Sequence, residues 1–188
     1  MSKINIYNKV VPPILCNEII TKYNTYVTIS ETINNIQIHE YKMPMQEQSW
    51  ERIEKSLLKI LLNCLLKTSN TENVILDSFY IQKYVTNDKL FIGNYNTKLN
   101  RFNRLTFVIY LSEFKSAEVK ISKDETIELN QVNQGSLIII PEDINYVYQH
   151  ELHKGNNYVI TGQLRSTNNN TIGRMVDNDY FNPSFNRF

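Results

Sequence analysis

Between residues 73 and 165 the chain breaks into seven short runs of apolar and β-branched residues. They lie at 73–84, 105–111, 117–121, 125–129, 135–141, 145–152 and 157–165, with polar turns between them. Runs of this length and spacing suit antiparallel strands that bury a face against a second layer. Two helix candidates come first. One starts after Val11-Pro12-Pro13, where proline is tolerated in the first turn, and carries Ile14, Leu15, Ile19, Ile20 and Tyr23 at helical spacing. The other starts at Ser49 as a cap and aligns Trp50, Ile53, Leu57, Ile60, Leu61 and Cys64 on one face, with Glu51, Glu54, Lys55 and Lys59 off it. Ile36 and Ile38, alternating about Gln37, suggest a further strand. Two helices followed by many short strands predict an α+β fold. The spacing suits a double-stranded β-helix (a jelly roll) with the two N-terminal helices packed on it.

At 188 residues the chain is one domain's worth. We assign residues 1–165 to the jelly-roll domain and 166–188 to an Asn-rich tail without a clear period. The formal charge is +1, from 20 basic and 19 acidic residues, so no global field draws the chain to nucleic acid or to an anionic membrane. The first residues lack the apolar core of a signal peptide. The longest apolar run, 57–66, is broken by Lys59 and Asn63 and is too short to span a bilayer. The expected location is the cytoplasm or a virion. Cys16 and Cys64 each sit in a helix candidate and read as small core residues. There are 25 Asn, 23 Ile and a single Ala, Ala117. That bias follows AT-rich codons and points to an AT-rich source such as a large DNA virus, a phage or some protists. An asparagine in such a chain can be a product of drift.

The inventory of reactive groups is small. The histidines are His39, His150 and His153, and no metalloprotease, P-loop, C-x-x-C or nucleophile-elbow motif occurs. His150 and His153 are three apart, so on a strand they point to opposite faces. Asn94 and Asn96, two apart, face the same way on an extended segment, but neutral amides bind metals weakly. On the last strand Asn157, Val159, Thr161 and Gln163 share one face, while Tyr158, Ile160 and Leu164 share the other. The second face is core. The first, being partly polar, is expected to face solvent rather than line a polar cavity.

The order of these pieces resembles the prolyl 4-hydroxylase-like branch of the 2-oxoglutarate/Fe(II)-dependent dioxygenases. The resemblance lies in the opening segment 11–20, the strand Ile81-Gln82-Lys83-Tyr84, the strand Arg104-Leu105-Thr106-Phe107-Val108-Ile109-Tyr110-Leu111-Ser112, the run Gly135–Pro141, and the closing strand 155–165. It implies an iron site formed by a His-x-Asp pair and a distal histidine, and a basic residue that pairs with the far carboxylate of 2-oxoglutarate. Carried over by position, the His-x-Asp pair falls on Asn94 and Asn96. The distal histidine falls within Tyr146, Val147 and Tyr148, and the basic residue on Asn157. Tyr84, Thr106, Thr161 and Gln163 are the candidate pocket.

All four chemistry-bearing positions depart from the pattern while the scaffold holds. The resemblance therefore implies a non-catalytic dioxygenase-fold protein, without cofactor, acting as a binding or structural module. Its partner would be a protein, for example in a viral assembly. One alternative is a divergent but active hydroxylase using Fe(II) and 2-oxoglutarate. It would need His150 or His153 together with a carboxylate such as Asp88 or Glu118. The other is a jelly roll that binds a small polar ligand.

Overall fold

The computed structural model describes residues 4–26, 29–33, 36–43, 47–66, 74–86, 90–93, 104–121, 125–141, 146–152 and 155–166. In chain order the elements are β1 (Asn5–Tyr7), α1 (Pro13–Tyr23), β2 (Ile29–Ile33), β3 (Ile36–Lys42), α2 (Glu51–Leu66), β4 (Val74–Thr86), β5 (Leu90–Gly93), β6 (Arg104–Tyr110), β7 (Phe114–Ile121), β8 (Glu125–Val132), β9 (Leu137–Pro141), β10 (Tyr146–Glu151) and β11 (Gly155–Ser166). A seven-stranded sheet runs β1-β9-β6-β11-β4-β3-β2, and a four-stranded sheet runs β5-β10-β7-β8. The pairings are antiparallel. The architecture is the expected α+β combination of two helices with antiparallel sheets, except that β1 precedes α1 and β2 and β3 lie between the helices.

The central strands of the large sheet carry buried side chains on both faces. One face carries Phe79, Ile81, Phe107, Ile109, Leu137, Ile139, Ile160 and Leu164 into the core shared with both helices. The other carries Tyr84, Val108, Tyr110, Ile138, Ile140 and Val159 against Phe114, Ala117 and Val132 of the small sheet. Period-two alternation explains the division, since each strand of the large sheet sends successive side chains to opposite cores. Helix α2 docks through Trp50, Ile53, Leu57, Leu61 and Cys64, the face that its spacing predicts. Glu54, expected off that face, is buried beside it. Ser49 also differs from expectation, because its hydroxyl donates to Glu47 Oε1 at 2.6 Å.

Three strands escape the sequence pattern: β1, β2 and β5. All three are sheet edges. β1 and β2 carry no apolar run, and a short edge strand held by its neighbour's backbone ladder needs none, whereas β5 (Leu90-Phe91-Ile92-Gly93) is apolar but only four residues long.

Both cysteines are buried and free. Burial pushes the Cys16 thiol up to about 11, against a smaller opposing backbone hydrogen bond. The native protein at pH 8 should therefore resist alkylation at both thiols. Mass spectrometry after iodoacetamide should find labelling only once denaturant is added. Because the folded state favours the protonated thiol, this group costs no stability below pH 9 and destabilises the fold progressively above it. Rapid native labelling at pH 8 would contradict the packing of α1. Among the described residues, no helix is long and apolar enough to cross a membrane.

Candidate active site

The inner face of the large sheet, turned toward the small sheet, holds a row of polar side chains. Cross-strand partners share a face, so register identifies its members. Asn157 stands opposite Tyr84, Val159 opposite Gln82, Thr161 opposite Tyr80, and Gln163 opposite Ser78. On the next strand outward, Tyr84 meets Ile38, Gln82 meets Glu40, and Tyr80 meets Lys42. On the other side of β11, Thr161 pairs with Val108 and Gln163 with Thr106. Asn157 is 1% exposed and Thr161 5%, while Thr106, Gln82 and Tyr84 are also buried. The polar face of β11 thus lies in the interior, which corrects the expectation that it meets solvent. Sequence alternation detects polarity but not the second sheet that covers it.

The row contains a directed hydrogen-bond chain. Tyr84 Oη donates to Gln82 Oε1 at 2.7 Å, and Gln82 Nε2 donates to Glu40 Oε2 at 2.6 Å. Asn157 Nδ2 donates to its own strand at Gly155 O, 3.4 Å away. Lys42 shares the face but is exposed, with its Nζ 5.9 Å from the centre of the Tyr80 ring. A buried hydrogen bond is costly to break on one side only. Tyr84→Phe should lower stability by about 1–2 kcal/mol, because Gln82 loses its donor in a buried setting. Urea unfolding measures this; a change near zero would show that the chain of bonds does not form in solution.

The predicted pocket residues Tyr84, Thr106, Thr161 and Gln163 therefore fall on one face with Asn157. Sequence reading did not include Gln82 or Glu40. Gln82 was within reach, because it lies two residues from Tyr84 on a strand. Glu40 was not, since it enters only through the β3–β4 register. Asn94, Asn96, Asp88 and His153 lie outside the described residues. Tyr146, Val147, Tyr148 and His150 belong to β10, where His150 stands opposite Ala117 and Phe91, and Tyr148 opposite Val119 and Gly93. Glu118 stands opposite Gln149, so it is not the cross-strand partner of His150.

No family model and no curated protein matches the chain. Solved structures do match. HygX from Streptomyces hygroscopicus, in its structure with nickel and 2-oxoglutarate bound, has a TM-score of 0.64 to this chain. The match covers 87% of this chain and 83% of that one at 10% identity. A Pseudomonas putida prolyl-4-hydroxylase matches at TM-score 0.58, over 87% and 92% of the two chains, with 11% identity. The chain has the prolyl-hydroxylase-like fold of the 2-oxoglutarate/Fe(II) oxygenases. A Trichoplax adhaerens prolyl hydroxylase, in complex with a peptide fragment of the hypoxia inducible factor oxygen degradation domain, matches at TM-score 0.64. It covers 87% of this chain and 83% of that one, with 11% identity.

These likenesses overturn the expectation of a non-catalytic protein without cofactor. Among the matching structures are prolyl hydroxylases and an oxidoreductase of the 2OG-Fe(II) oxygenase family from Burkholderia pseudomallei, and HygX is known with nickel and 2-oxoglutarate and with iron. They lend no support to a structural or particle role. The earlier expectation rested on positions located by motif spacing. At 9–11% identity a one-residue slip in a strand exchanges its two faces and names the wrong ligand.

Among the described residues, no group of three or more His, Cys, Asp or Glu converges to hold a metal. Those residues do not fit Fe(II). For a 2-oxo acid the inner face offers buried amide and hydroxyl groups, and Asn157 does not fit the role of a fixed cation.

Proposed function

We propose that the chain is a divergent but active hydroxylase of the 2-oxoglutarate/Fe(II) class, built on a double-stranded β-helix. The observation that carries this reading is the buried polar row on the inner face of the large sheet. The described side chains around that row are largely apolar, and Asn157, Gln82, Thr106 and Thr161 are buried among them although their amides and hydroxyls gain little from apolar packing. The likeness to enzymes that hold a metal and 2-oxoglutarate supports the same reading. On this reading the metal ligands include side chains beyond those described above. His150, His153 and Asp88 are the candidates in the sequence.

The test is decarboxylation. Purified protein with Fe(II), ascorbate and oxygen should release carbon dioxide from C1 of a 2-oxo acid faster than a boiled control. 2-Oxoglutarate and 2-oxo acids with neutral far ends would be run in parallel. Release equal to the boiled control in every arm would reject the proposal.

A further inference from the structure

The face of the large sheet that packs on the helices carries a connected set of rings. Measured between ring centres, Tyr158 of β11 lies 5.9 Å from Tyr23 of α1, Tyr23 lies 6.4 Å from Tyr41 of β3, and Tyr41 lies 4.7 Å from Tyr26. Trp50 closes the far end, 5.9 Å from Tyr41 and 5.7 Å from Tyr26. Tyr158 and Tyr23 are buried, whereas Tyr41 and Tyr26 are half-buried, so the set leads from the interior outward. Each member is a phenol or an indole, which gives up one electron far more readily than phenylalanine does. Phenylalanine fills the same packing role elsewhere, at Phe79, Phe107 and Phe114.

A phenol that loses an electron becomes a strong acid, so an oxidised ring persists where a base takes its proton. Tyr23 donates to the backbone oxygen of His39 at 2.8 Å and Tyr158 to the amide oxygen of Asn24 at 3.3 Å. Neither acceptor takes up a proton near neutral pH. Burial pushes the Tyr41 phenol up, so Tyr41 holds its proton. Tyr26 differs. Its hydroxyl lies 3.4 Å from Glu47 Oε1 and 3.2 Å from Ser49 Oγ, and Ser49 donates to the same carboxylate oxygen at 2.6 Å. Ser49 gives its single proton to Glu47, so it accepts from Tyr26 and the path to the carboxylate has a direction. Lys22 Nζ stands 4.5 Å over Trp50 and opposes a positive charge on that ring, which favours Tyr26 as the end point.

We propose that these rings relay one-electron oxidation from Tyr158 to Tyr26. A strong one-electron oxidant takes an electron from Tyr158, each ring is refilled by the next, and Tyr26 supplies the electron in the end. Its proton passes to Glu47. The products are the reduced oxidant, a neutral Tyr26 radical and a protonated Glu47. The relay goes beyond the proposed function and works with any oxidant of that class.

A ruthenium polypyridyl photosensitiser attached through Lys83→Cys tests the relay. Lys83 pairs with Tyr158 across the sheet, and its Nζ lies 5.8 Å from the Tyr158 ring. Flash excitation with a sacrificial quencher makes ruthenium(III) beside Tyr158. A nitroso spin trap followed by peptide mass mapping then locates the radical. The adduct is expected on Tyr26. Tyr23→Phe should abolish it, because Tyr23 links Tyr158 to Tyr41. Glu47→Gln removes the base and should also abolish it. Circular dichroism checks that each variant is folded. Adducts that never reach Tyr26 in the labelled parent overturn the proposal, as does a Tyr26 adduct undiminished by Tyr23→Phe. If Tyr23→Phe does not fold, Glu47→Gln decides, and an unchanged Tyr26 adduct there overturns the proposal.

Discussion

Gly135→Ala is expected to destabilise the protein by about 3–5 kcal/mol. Gly135 has a φ of +81°, where an L side chain is strained by about 1–2 kcal/mol. The larger cost is contact. A Cβ at this position would sit 2.1 Å from the carbonyl oxygen of Val11, a backbone atom that cannot rotate away. Val11 N donates to Gly135 O at 3.0 Å, and Gly135 N donates to Tyr110 O at 2.7 Å. These bonds tie the start of α1 to the β6 and β9 strands, so any shift that relieves the clash loosens that junction. Gly155 provides the control. It has a φ of +109° but no atom within 4 Å of an added Cβ. Gly155→Ala should carry only backbone strain, about 1–3 kcal/mol. Denaturant midpoints of the two variants measure the difference. Equal losses would mean that the Val11 contact does not form.

Trp50→Ala should be nearly as damaging, at about 3–5 kcal/mol. Trp50 is fully buried where α2 begins. Its ring lies 5.7 Å from that of Tyr26 and 5.9 Å from that of Tyr41, and Lys22 Nζ stands 4.5 Å over it. The same contacts join both helices to β3, so one truncation opens a cavity and removes ring and cation contacts together. For a chain of this size, a loss of that magnitude lowers the melting temperature by roughly 2–4 °C for each kcal/mol. Trp50→Phe should recover part of it. Scanning calorimetry of the three proteins decides, and a shift under about 2 °C for Trp50→Ala would show that α2 is not anchored through this residue.

Legibility differed between the parts of the molecule. The face of α2 was readable because Trp50, Ile53, Leu57, Leu61 and Cys64 repeat at the helical period, and burial follows period. The burial of Glu54 was not, because a charged side chain on the margin of an apolar face is placed by its neighbours. The strands with apolar alternation were readable, whereas the edge strands β1 and β2 carry no apolar run and β5 is only four residues long. The likeness to the oxygenases was legible in the order of scaffold motifs. The loss of activity that the same comparison implied was not sound. Scaffold residues recur in runs that tolerate a slip, while a metal ligand is a single residue that does not.

The sequence alone determined two helices and a set of short strands, which residues of α2 pack, and that β11 has one apolar and one partly polar face. Those properties are periodic and local, and each residue carries its own share of them. Only the tertiary structure decided that the polar face is interior. It also decided that Asn157 lies opposite Tyr84, and that Glu40 terminates the hydrogen-bond chain. The reason is that burial and pairing belong to two strands at once. Which side chain meets Gln82 is set by the register of β3 on β4, some forty residues away in sequence, and not by anything written beside it.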